Sequence, residues 1–351
     1  MRQFLPAFGA HVVDTNGDRC PQNLPPILKV MRVLKLILMV AVLGVAPLAV
    51  LAVAMETPAV NQAASAAMQT AGAKEEHGLP PKAGEIFRIG PLPVTNSMLV
   101  SWVVAIGLIV FAQAATRNIQ EIPSGIQNFW EWLVESLYNF LEGIIGRDLV
   151  KKTYWFFASL FIFILFANWF GLVPGVGTIG WGRQTPEGFL VTDPWIRGVN
   201  ADLNMTFAMA CVFFVCWIVW AFQANGPIGL LKHLFAPKGE SSGALKFLLV
   251  IVFFAVGFLE IFSILFRPVS LSFRLYGNIF AGENMLEAMS NLIKEPAWLR
   301  NVAAVVVPIP FYFMELLVGV IQALVFMLLT AVFTMLITQQ DESPGHGHAH
   351  H

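Results

Sequence analysis

Charge is scarce in this chain of 351 residues: Asp, Glu, Lys and Arg together make up 12%, against about a quarter in ordinary soluble domains. A surface so poor in charge cannot be wetted on every side, which excludes a freely soluble globular protein. The charges present nearly cancel, to a net −1, and form no basic block, so the electrostatic basis for binding nucleic acid is missing. Cysteine is almost absent. Cys20, Cys211 and Cys216 are the three; they lack metal-ligand spacing, and the last two lie in an apolar run where cysteine packs as a small apolar residue. A disulfide framework and a redox centre are thereby excluded. There is no catalytic triad, phosphate loop or cofactor fingerprint, and no cofactor or metal is implied. Histidine is missing from every apolar run; four of the seven stand in the terminal "HGHAHH", a composition that reads as a solvated end.

What the chain has instead is apolar length. Hydrophobic residues make up 57% and mean hydropathy is +0.69. Several runs approach or exceed the ~20 residues that cross a ~30 Å hydrocarbon core as helix. Spans are expected at 97–115, 154–173 and 203–222, with apolar stretches at 244–293 and 301–338. Residues 123–145 place charged and aromatic positions at helical spacing, as in a helix lying in the membrane interface with its Trp and Phe side in lipid. The fold class is therefore an all-α polytopic membrane protein with about five membrane-crossing helices and one interfacial helix. Residues 244–293 as one helix would measure about 75 Å, more than twice the hydrocarbon thickness. The stretch either breaks near Pro268 or lies steeply tilted; in the tilted case the last two long helices form an antiparallel hairpin with one flank open to a partner.

The beginning of the chain has another character. Residues 31–54 open with Arg32 and Lys35, continue uncharged, and finish on Ala52-Val53-Ala54, the layout of a secretory signal peptide; a retained first helix is the alternative. Residues 1–54 thus read as an N-terminal extension, 55–94 as a flexible outer-side tail rich in Ala, Gln, Glu and Pro, 95–340 as the membrane domain and 341–351 as a C-terminal tail. Lys and Arg are richer in 117–152 and 223–246 than in the intervening loops. The positive-inside rule puts those loops in the cytoplasm, residue 97 outside and the C-terminus in the cytoplasm.

The charges inside apolar stretches are the candidates for function. An arginine at mid-membrane costs about 2.5 to 3.5 kcal/mol, so it marks a pathway or a partner's counter-charge. An arginine does not give up its proton in proteins, so Arg274 acts as a fixed positive charge. Glutamates can relay, because they exist in both protonation states. Glu260, Arg267 and Arg274 recur every seven residues on nearly one helix face, while Glu283 lies nine beyond Arg274, about half a revolution round. The two glutamates thus address different sides of the helix, on either side of the arginine along its axis. Glu315 and Gln322 share a face of the last helix, and in an antiparallel hairpin Glu315 falls near Glu283 and Gln322 near Arg274. Arg267, just before Pro268, either stabilises a bend or belongs to the site. Asp202 and Asn204 cap the following span or also line an outer vestibule, and Asn168 is placed as an interhelical hydrogen-bonder. Glu287, Lys294 and Glu295 read as solvated turn residues.

"RPVSLSFRLYGNIFAGE" and "IQALVFMLLTAVF", with "NSMLVSW", "FANWFGLVPG" and "ADLNMTFAMA" earlier, resemble the F-type ATP synthase subunit a family over about residues 95–340. The resemblance implies a non-catalytic, proton-conducting stator subunit in the bacterial inner membrane, with Arg274 facing the carboxylates of a rotor ring of c subunits. It implies that Glu283, Glu315, Gln322 and Asn278 lie on or beside the proton route and that Glu260 lies on the cytoplasmic exit. The implied partners are that ring, the peripheral-stalk b subunits, the soluble catalytic head and lipid. Family members differ in which outer position carries histidine and which glutamate; here both 283 and 315 are Glu, so a histidine relay is excluded. The rival class is a self-contained secondary transporter, against which stands the lack of an internal repeat or paired interrupted helices.

Overall fold

The computed structural model describes residues 83–338, apart from 90–91, 118–119, 121, 123, 174, 177–178, 186–187, 236–243 and 294–295. The signal-like segment, the first part of the tail and the histidine-bearing C-terminus lie outside the described residues. Among the described residues seven helices follow a β-hairpin. Strands β1 (Glu85–Ile89) and β2 (Leu92–Thr95) pair antiparallel and lead into α1 (Asn96–Ala115), whose N-cap Thr95 accepts from the Met98 amide. Helix α2 (Ile126–Ile145) is joined through Gly146 to α3 (Arg147–Gly171); Gly146 adopts φ 80°, a conformation that strains any side chain. A second hairpin, β3 (Gly180–Thr185) with β4 (Gly188–Pro194), and a 3-10 turn (Val199–Ala201) lead to α4 (Leu203–Phe235). The remaining helices are α5 (Ala244–Ser290), α6 (Ala297–Val306) and α7 (Ile309–Thr338).

Among the described residues five stretches are long and apolar enough to cross a membrane: Asn96–Ala115, Arg147–Gly171, Leu203–Pro227, Val252–Ser290 and Trp298–Thr338. The chain is an all-α polytopic membrane protein with two small outlying hairpins. Helix α3 is the most buried of the five and packs on α1, α2 and α7, while α4 packs on α5 and α7. Its core is aromatic: Phe156 and Phe157 set their rings 5.5 and 5.8 Å from Trp220 of α4. Between helices in lipid such close packing, rather than removal of apolar surface from water, holds the bundle together.

Several expectations are sharpened or corrected. Helix α5 is one continuous helix of 47 residues through Pro268, so the chain does not break there; it extends over about 70 Å. It is the least buried of the five spans. The span expected at 203–222 continues to a kink at Gly226 (φ 66°), where Pro227 follows. Glu85–Ile89 and Leu92–Thr95, at the end of the expected tail, form β1 and β2, and part of the polar loop before Asn200 folds into β3 and β4. In α2, Phe129, Trp132 and Phe140 are exposed as an interfacial helix requires, but Trp130 turns inward, 1% exposed, with its ring 5.8 Å from that of Phe111. Here the inward stripe of Gln127, Trp130, Val134, Leu137, Leu141 and Ile145 follows helical period, and the largest side chain on it fills the core.

Candidate functional site

Helix direction gathers the polar side chains. Helices α1, α4 and α7 begin, and α3 and α5 end, at the same end of the bundle, which the loop Trp195–Ala201 covers. Asp202 caps α4 by accepting from the Asn204 amide at 3.0 Å and accepts from Ser97 of α1 through its other oxygen at 2.5 Å. Of the two roles expected for Asp202 the structure shows the cap, and the side chain is 4% exposed; the Asn204 amide donates to it. Asn96, also buried, donates to the Pro194 carbonyl at 2.8 Å and so fastens β4 to α1. Asn168 of α3 donates to the Gly319 carbonyl of α7 at 3.0 Å and accepts from Asn200 at 2.6 Å. It bridges two helices and the loop, as an interhelical hydrogen-bonder must.

Besides Asp202, two carboxylates stand in this region. That of Glu283 lies against Gly198, close enough that a Cβ built there would come within 2.1 Å of its Oε1. That of Glu315 lies over Gly282, where a built Cβ would come within 2.2 Å. Both oxygens of Glu283 and Oε1 of Glu315 are buried without a hydrogen-bond partner. The charges of Arg197 and Glu315 both act on Glu283. Arg197 is 2% exposed, and its Nη2 donates to the Ala201 carbonyl at 3.3 Å.

Further along α5 the helix turns a different face outward. Asn278 donates to Gln322 of α7 at 2.8 Å, which places Gln322 one turn from Arg274 along α5. Arg274 is exposed, and no ion pair forms to it among the described residues. Nearer the opposite end of α5, Arg267 lies between aromatics of the two neighbouring helices, 4.4 Å from the Phe333 ring centre and 5.6 Å from that of Trp217. Its guanidinium is held by cation–π contacts on α4 and α7, and the half-buried Glu260 lies near enough for its charge to act on it. Contacts of 267 with 333, 278 with 322 and 282 with 315 show α5 and α7 running antiparallel.

The sequence does not reveal Arg197, Ser97, Asn200 or Gly198. The first lies in a polar loop, where an arginine ordinarily signals solvent. Ser97 and Asn200 are recognised only from the partners that folding brings to them; their one available signal is that each neighbours a span end. Among the described residues no group of His, Cys, Asp and Glu is arranged to hold a metal ion.

The amide of Asn168 bears on stability. Asn168→Leu leaves the Gly319 carbonyl and the Asn200 amide without their partner, at a cost of about 1–3 kcal/mol. The expected result is a lower yield of assembled complex and a lower midpoint in thermal-aggregation assays in detergent. An unchanged midpoint would show the bridge to be dispensable.

A bundle of membrane-spanning helices that buries carboxylates and amides between its members, and turns Arg274 outward from one of them, belongs to the class of multi-pass membrane proteins. Residues 98–335 match the family described as ATP synthase A chain. The chain is 33% identical over 248 residues to ATP synthase subunit a of Gloeobacter violaceus, covering 70% of this chain and 85% of that one. It is 29% identical to that of Moorella thermoacetica over 249 residues, 71% and 93% of the two chains. To the Propionigenium modestum protein named ATP synthase subunit a, sodium ion specific, it is 28% identical over 245 residues, 69% and 73%. The chain belongs to the ATP synthase subunit a family. It is a non-catalytic membrane subunit of an ATP synthase complex and takes part in ion translocation.

Proposed function

We propose that the chain is the proton-conducting stator, with two offset half-channels that load and unload the carboxylates of a rotor ring. The observation that carries this is Arg274: an exposed cation on a flank of α5 otherwise lined by exposed Val256, Leu259, Phe266 and Phe273. Lipid alone covers such a flank well and an arginine poorly; a partner helix bearing a carboxylate covers both. A c-subunit ring is that partner, and the peripheral-stalk b subunits hold the stator to the soluble head. Protons then arrive at Glu283 and Glu315, neutralise a ring carboxylate and leave past Glu260. Glu260 and Glu283 lie about 35 Å apart along α5, near the ~30 Å of the hydrocarbon core, with Arg274 between them to block a direct leak. The orientation is N-terminus outside and C-terminus cytoplasmic in a bacterial inner membrane, on the loop charges.

Purification of the tagged chain in mild detergent tests the reading: ring, stalk and catalytic head are expected to co-purify, whereas a chain that transports ions alone in vesicles would replace the stator with a transporter. In assembled complexes Glu260→Gln is expected to slow ATP synthesis several-fold without reducing complex content. Unchanged turnover at every driving force would remove Glu260 from the route.

A further inference from the structure

Gly198 holds an ordinary backbone conformation, φ −52° and ψ 131°, which any residue adopts. Nothing in its dihedrals calls for glycine, so the reason lies in space. A Cβ there would stand 2.1 Å from Oε1 and 3.3 Å from Cδ of Glu283. The facing Gly171 at the end of α3 is different: its Cβ would meet the Gly198 Cα at 3.5 Å and Oε1 of Glu283 at 3.6 Å, both ordinary contacts. The carboxylate therefore rests on the bare Cα of Gly198, beside the buried Arg197, and no side-chain or backbone donor fixes its oxygens. Its position is set by the shape of this turn.

We infer that Gly198 is a positioning residue for Glu283, and that the Arg197–Gly198 turn is a seat matched to the length of a glutamate side chain. This rests on the reading of Glu283 as a proton carrier. Arg197 from the loop and Glu315 from α7 are the charges that act on Glu283; Asp202 and Tyr276 lie in the same electrostatic neighbourhood, while α3 contributes Gly171 there. Displacement of the carboxylate from the seat changes its distance to each of these and to Glu315, with which it exchanges protons.

The atom that a new methyl group would strike is the far end of a flexible side chain, so Gly198→Ala is expected to fold and assemble with the carboxylate pushed aside. The experiment compares Gly198→Ala, Glu283→Asp, the double variant Gly198→Ala with Glu283→Asp, and Glu283→Gln, by ATP-driven proton pumping of the whole complex in vesicles, normalised to complex content. Gly198→Ala is expected to lower the rate by about one to two orders of magnitude, the scale that a displacement of about 1 Å costs. Glu283→Asp, one methylene shorter, no longer reaches the seat and is slow alone. In the double variant the shorter side chain accommodates the methyl group, and pumping exceeds that of Gly198→Ala. A wild-type rate in Gly198→Ala, or a double variant no faster than Gly198→Ala, overturns the inference. Should Gly198→Ala fail to assemble, restoration of assembly by Glu283→Asp supports the seat and lack of restoration overturns it. Wild-type pumping by Glu283→Gln would instead sink the proton route itself; loss there with a normal Gly198→Ala sinks only the seat.

Discussion

Arg274→Ala abolishes proton-driven ATP synthesis in complexes that assemble to normal levels: this is the largest single-residue effect expected of the chain. The side chain is exposed and forms no ion pair among the described residues, so its removal opens no cavity and orphans no neighbour within the subunit. What disappears is a fixed positive charge on an apolar flank. With 100 mV across the membrane each charge moved carries about 2.3 kcal/mol, and that work is coupled to rotation only if ring carboxylates must release their protons on passing the arginine. Arg267→Ala provides the contrast. It removes cation–π contacts to Phe333 and Trp217, each worth about 0.5–2 kcal/mol, and is expected to reduce complex content while leaving coupled synthesis per complex largely intact. The measurement is ATP synthesis driven by an imposed proton gradient, normalised to assembled complex. Equal losses per complex from the two substitutions would sink the distinction between a working cation and a packed one.

That distinction was only half legible in the residues. Seven-residue spacing places Arg267 and Arg274 on one face and cannot say which of them is covered; the answer depends on Trp217 from α4 and Phe333 from α7 reaching the first and not the second. The long apolar runs, by contrast, carry their own reading, because crossing a membrane demands length and composition that little else demands. The unbroken course of α5 through Pro268 was open, since proline removes a backbone donor and only packing decides whether the helix continues. The loop before α4 was the least legible. Its polar residues have no period, and the burial of Arg197 and Asn200 exists only once α1, α3 and α5 enclose them. Gly198 left no trace, because a glycine required for space looks in sequence like any loop glycine.

The carboxylates of Glu283 and Glu315 carry the second large effect. Glu315 lies over Gly282, the residue next to Glu283, and three of the four carboxylate oxygens are buried without a hydrogen-bond donor. Two like charges in so dry a site repel, so the pair binds protons in two linked steps rather than independently. Each glutamate can still pass protons when the other is neutral, and Glu283→Gln or Glu315→Gln alone is expected to slow ATP-driven pumping and to move the pH profile of passive proton flux. The double change leaves no group to take a proton up, and pumping falls to background. Because contacting residues act as a unit, the loss in the double variant exceeds the product of the two single losses. The three variants are measured in vesicles at matched complex content, with passive flux followed across pH. Strictly multiplicative losses, with neither profile displaced, would show that the two glutamates act separately and that the contact across Gly282 has no part in proton uptake.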